Sequence, residues 1–111
     1  MSGGQSWGIC GQVWFDGEPG ALAKALTSAG LNVVPGRYAV RLKDCSHFVL
    51  VSAADPGCGI FDIDADAETQ AEMSEAAERV SSALRQAKIR HDFEVYCHPA
   101  KDPVKRFAYD K

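Results

Sequence analysis

GIFDIDAD at residues 59–66, followed by AETQAEMSEAAERVSSALRQAKIR at residues 67–90, is the stretch around which the rest of this chain is organised. In the first part Ile63 and Ala65 oppose Asp62, Asp64 and Asp66, the period of two expected of a strand with one strongly acidic face. That much charge on one face predicts an edge strand, where charges discourage strand addition. In the second part Met73, Ala77, Val80, Leu84 and Ala87 recur at spacings alternating four and three, a stripe for packing a helix on a sheet. The predicted helix covers residues 67–89 and would be about 35 Å long at the usual rise.

Upstream, HFVLVSA at 47–53 is a nearly continuous apolar run, as a central strand would be. RYAVRLK at 37–43 alternates, with Tyr38, Val40 and Leu42 against Arg37, Arg41 and Lys43, and the two runs read as a β-hairpin. Residues 31–34 lead out to a turn at Pro35-Gly36, and Asp55-Pro56-Gly57 breaks the chain again. Residues 7–16 are apolar on both parities and predict a strand in the middle of a sheet, with Gly8 and Gly11 marking a bulge or a close contact. A short helix opens near Pro19, buries Leu22, Ala25, Leu26 and Ala29, and stops at Gly30. Downstream, HDFEVYCH at 91–98 and VKRFAY at 104–109 predict two strands joined by a turn at 99–103. Residues 1–6 are small and polar and are expected to fray.

The heart of this order is β-α-β-β-α-β. The expected fold class is α+β: a ferredoxin-like sandwich with an antiparallel sheet, two helices on one face and an additional C-terminal hairpin strand. At the level of strand order the chain resembles the ferredoxin-like families, among them small-molecule-binding regulatory domains of the ACT kind and dimeric α+β barrels, some of them cofactor-free monooxygenases. The resemblance lies in element order and involves no signature residue. It implies an open sheet face, presenting Cys10, Gln12 and Trp14 on the first strand. On the 47–53 strand that face carries either His47, Val49 and Val51 or Phe48, Leu50 and Ser52. An apolar open face needs a cover: a second copy, a ligand or the terminal hairpin.

With 111 residues the chain forms one domain, 1–111, and its 46% hydrophobic and 24% charged residues are those of a soluble globular protein. No apolar run approaches the length of a membrane span, and the beginning, MSGGQSWGIC, lacks the basic and apolar regions of a signal peptide. The cytoplasm is the expected compartment. Cys10, Cys45, Cys58 and Cys97 are scattered without a C-x-x-C pair and read as free thiols of a reducing compartment. The net charge of −3 argues against nucleic acid as a partner. Lys101, Lys105 and Arg106 beside Phe107 and Tyr109 form only a weak basic-aromatic cluster.

No metal or cofactor is expected. Asp62, Asp64 and Asp66 begin like a calcium loop, but the sixth and twelfth positions, which need Gly and Glu, hold Ala67 and Met73. A zinc set of Cys45, His47, Cys97 and His98 fails because adjacent residues on a strand point to opposite faces. A Cys45/His47 nucleophile pair lacks a third group and an oxyanion-hole motif. His91 is read as a cation favoured at the end of the long helix. No catalytic residue is assigned.

Asp62, Asp64, Asp66, Glu68, Glu72, Glu75 and Glu78 are acidic, and no basic residue interrupts them. The first six are the expected surface for a basic protein partner. The leading expectation is a non-enzymatic module that homodimerises through its open sheet face and presents this acidic helix surface. The alternative is a small-molecule site on the open face lined by Gln12, Trp14 and His47, in its extreme form a cofactor-free enzyme.

Overall fold

The computed structural model describes residues 7–43, 47–52, 59–97 and 103–110. Its elements are β1 (Trp7–Trp14), α1 (Pro19–Ser28), β2 (Val33–Pro35), β3 (Ala39–Leu42), β4 (Phe48–Ser52), β5 (Ile60–Ala67), α2 (Gln70–Gln86), β6 (Arg90–Cys97) and β7 (Pro103–Tyr109). The strands make one sheet in the order β2-β3-β4-β5-β1-β6-β7, and every neighbouring pair is antiparallel.

This corrects the expected ferredoxin-like sandwich. Among the described residues the fold is mostly β, one seven-stranded antiparallel sheet with two helices. β2 was not expected, its residues being treated as a lead-out to a turn. Val33 and Val34 pair with Leu42 and Arg41, so the segment leaving α1 finds a strand partner at once.

The acidic strand is not an edge, a second correction. β5 lies between β4 and β1 and hydrogen-bonds to both. Its pattern is strictly alternating: Phe61, Ile63, Ala65 and Ala67 are buried, and Asp62, Asp64 and Asp66 are exposed. An interior strand needs both backbone edges paired. It does not need both faces dry, and carboxylates on a wet face cost little.

The helices differ from expectation mainly at their ends. Ala67 is opposite Trp7 in the sheet and so cannot start α2. Thr69 is its N-cap: the Oγ1 accepts from the Glu72 backbone N–H at 3.1 Å and donates to the Glu72 carboxylate at 3.1 Å, a version of the capping box. At the other end Lys88 adopts φ 60. The N–H groups of Ile89 and Lys88 reach the carbonyls of Leu84 and Arg85, closing a Schellman motif. Gly30 performs the same task after α1 with φ 94, as its position in the sequence implies.

One buried cluster holds the fold together. Leu22 and Leu26 of α1 and Met73, Ala77, Val80 and Leu84 of α2 join Val13, Val40, Phe48, Phe61, Phe93 and Val95 from the sheet, all at most 1% exposed. Gly11 is required where β1 lies against β6. Its φ is 154, and a Cβ there would run into the carbonyl oxygen of Asp92 and the Cα of Phe93. Gly8 also sits tight, with the Tyr96 ring and the Ala65 carbonyl both close to where its Cβ would be.

Among the described residues, no helix is long and apolar enough to cross a membrane. The fraying expected of residues 1–6 and the break at 55–57 lie outside the described residues.

The candidate functional site: the uncovered sheet face

Residues directly opposite one another on antiparallel strands share a face, so the register fixes what each side displays. Phe48 opposite Ala65 and Leu50 opposite Ile63 are buried, which puts His47, Val49 and Val51 on the other side. On β1 the pairs Gly8–Asp66 and Gln12–Asp62 turn Cys10, Gln12 and Trp14 toward that same side. Neither helix packs there, and among the described residues nothing covers it.

The face has two dissimilar halves. Over β2, β3 and β4 it shows Val34, Ala39, Val49 and Val51, all half-buried, with exposed Arg41 among them. Over β5, β1 and β6 it shows Asp62, Asp64 and Asp66, then Cys10, Gln12 and Trp14, then Arg90, Asp92, Glu94 and Tyr96. The expectation of an apolar open face is therefore corrected for this second half. Two cross-strand rows lie on the face: Arg41, Val49 and Asp64 across β3, β4 and β5, and Cys10, Glu94 and Arg106 across β1, β6 and β7.

Polar contacts tie much of the second half together. The Gln12 side-chain amide donates to Asp62 at 3.3 Å. His47 Nε2 lies 3.3 Å from Asp64. The Arg90 guanidinium stacks 4.5 Å from the Trp14 ring and reaches Asp110 at 3.5 Å. Arg106 grips Asp92 through two nitrogens at 3.1 and 2.7 Å. That fork holds the Asp92 carboxyl below its ordinary range, burial opposing and Arg106, His91 and Arg90 charges assisting. Burial lifts the Tyr96 hydroxyl above its ordinary value, with Cys10 and Asp64 adding to the rise.

The three residues expected to line a small-molecule site share this face but do not converge. Gln12 and Trp14 are two residues apart on β1, and His47 stands beyond β5. A depression of about 220 Å³ does open on this side, but Cys10, Glu94, Tyr96 and Pro103 line it.

The six residues expected to form one acidic surface divide between two. Asp62, Asp64 and Asp66 are exposed on the open face. Glu72 and Glu75 are exposed on α2, across the sheet, and Glu68 lies in the turn between. A period of two followed by a period of 3.6 cannot keep successive acids on one side. The helix acids also have local work: Glu72 closes the capping box, and Glu78 takes Lys105 at 3.3 Å.

His91 is not a solvated cation at a helix end, which corrects that expectation. It is 1% exposed, on β6, facing the core. Nδ1 donates to the Ile89 carbonyl at 3.0 Å, leaving Nε2 to accept from Ser81 Oγ at 2.7 Å. The ring stacks with Phe93 and Tyr109. Burial lowers its pKa, and Arg85 adds to this against the Ile89 carbonyl and Asp92. The chain signalled this only weakly, through the apolar parity of His91, Phe93 and Val95.

Of the residues weighed for zinc, Cys45 and His98 lie outside the described residues, as does the Cys45 half of the nucleophile pair. Among the described residues no three His, Cys, Asp or Glu side chains group as a metal ion would need. The weak basic-aromatic cluster is split: Lys105 turns to Glu78 on the helix side and Arg106 to Asp92 on the open side, while Lys101 is outside the described residues. No protein-family model, curated protein or solved structure matches this chain.

Proposed function

We propose that this chain is a non-enzymatic interaction module that docks through the uncovered face of its sheet and associates there with a second copy of itself. The observation that carries the reading is the two-part character of that face: half-buried valines on β2 and β4, with half-buried Ala39 on β3 between them, beside a column of exposed carboxylates. Apolar groups held at a wet surface favour contact with another surface. Flanking charges select and orient the partner. The acids of α2, on the opposite side, remain available to a basic protein while the sheet face is occupied. The exposed free thiol of Cys10 supports a reducing compartment, the cytoplasm, as its setting.

Sedimentation velocity over a range of micromolar concentrations tests this. The coefficient is expected to rise with concentration. Val49→Lys should abolish the rise without lowering the melting temperature by more than a few degrees, and Glu75→Lys on α2 should leave it intact. A strict monomer at every concentration, or association indifferent to Val49→Lys, would overturn the reading.

A further inference from the structure

Resting on that reading, we infer that the self-contact is a two-fold dimer whose axis runs along β4, so that Arg41 of each copy faces Asp64 of the other. When two sheet faces pack with their strands aligned, the in-plane two-fold axis lies either along the strands or across them. These choices have opposite electrostatic consequences here. An axis across the strands maps each strand onto its own counterpart. The column Asp62, Asp64, Asp66 would then lie on the same column of the partner, carboxylate against carboxylate, which is destabilising.

An axis along the strands maps columns to mirror-related columns and leaves each row in place. Placed over β5 it again opposes the acids. Placed over β4 it exchanges β3 with β5. Arg41 is opposite Val49, and Val49 is opposite Asp64, so these three residues form one row with Val49 at its centre. With strands about 4.8 Å apart, Arg41 and Asp64 stand equally far to either side of the axis. Across the interface Val49 then meets Val49, Val51 meets Val51, and two Arg41–Asp64 pairs form, one on each side. Further out, Val34 of β2, opposite Arg41, falls over the partner's β1. Val49 and Val51 are thereby buried at the centre, the Arg41–Asp64 pairs flank them on both sides, and Val34 lies beyond these pairs.

Both charged groups are suitably placed. Asp64 is 72% exposed, and its 3.3 Å contact with His47 runs alongside it on the same face. Arg41 is exposed and has no ion-pair partner among the described residues. Within one copy the two are separated by a whole strand, so their direct coupling in the monomer is small. A coupling measured in the dimer therefore reports contact between copies.

The test is a charge-reversal cycle read by sedimentation equilibrium. Arg41→Asp and Asp64→Arg should each weaken the dimer by about tenfold or more, because each sets two like-charged pairs across the interface. The double variant R41D/D64R restores both pairs with the signs exchanged, and its dimer should return to within about threefold of the parent. Thermal melting of all three at low concentration controls for folding. A dimer that forms but ignores both single reversals, or is not rescued by the double, would overturn this geometry and leave the docking reading standing. A chain that stays monomeric and binds oligolysine on the carboxylate column would overturn both.

Discussion

His91 and Asp92 are neighbours in the chain and face opposite sides of the same sheet. Both have a lowered pKa, for opposite reasons. On the helix-covered side, burial makes a charge expensive, so His91 holds back from taking a proton. On the open side, the Arg106 guanidinium makes a charge favourable, so Asp92 holds on to its negative form. One residue step therefore separates a region governed by desolvation from one governed by Coulomb attraction in water. The covered side contributes most of the stability, through the burial of large apolar groups. The open side adds little stability and carries the surface chemistry.

The sharpest way to break the covered side is at Gly11. A methyl group there meets the backbone of β6, which no rotamer change can relieve, and the positive φ adds strain. Gly11→Ala is expected to cost about 3 kcal/mol or more, measured by urea unfolding. A loss below about 1 kcal/mol would mean that β1 and β6 can separate to admit it. The adjacent open-face position offers the contrast: Cys10→Ser, exposed and outside the core, should stay within about 0.5 kcal/mol.

His91 gives the next effect. Its folded pKa lies below the ordinary 6.5, so on acidification the unfolded chain takes up a proton that the folded one refuses. Stability is therefore complete above 6.5 and falls as the pH drops from 6.5 toward the folded value. The slope can reach about 1.4 kcal/mol per pH unit for one proton. Urea unfolding between about pH 7.5 and pH 5 should show this decline. The paired change His91→Phe, Ser81→Ala removes the titrating group together with the hydroxyl that bonds it, and should flatten the slope. An unchanged slope would assign the acid sensitivity to other groups.

These contrasts also show which features the chain announced. Alternation in GIFDIDAD and the stripe from Met73 to Ala87 gave the two sides of β5 and the buried side of α2 directly, because period alone decides them. The closing glycine of α1 was equally plain. The placement of β5 was not. Charge on one face carries no information about how many neighbours the backbone has, and sheet order depends on long-range pairing that no local pattern records. The strand at Val33–Pro35 was hidden by its shortness and by its proline, which with Gly36 was read as a turn. For the site, parity put Cys10, Gln12 and Trp14 on one side of β1. It could not show that β5 and β6 would bring five more carboxylates beside them, nor that the helix acids would end up across the sheet.

The smallest expected effect tests the open side alone. Arg106 holds Asp92 with two nitrogens, the best geometry for a surface pair, yet its own side chain is 63% exposed and the carboxylate's 40%. Water and salt screen such a pair, and it is worth at most about 1 kcal/mol. Asp92→Asn should therefore cost less than that at neutral pH, and the cost should shrink in high salt. The sign of the pH dependence separates it from His91. Asp92 is charged in both states above its ordinary 3.8, so the contribution is complete there and is lost only as the pH falls below 3.8 through the folded value. The Asn variant should keep the decline that begins near 6.5, which belongs to its neighbour, and lose only the further decline below 3.8. If instead it removed the decline at higher pH, the two sides would be coupled through β6, and the separation between a desolvated face and a solvated one would fail at the one place where the chain passes between them in a single step.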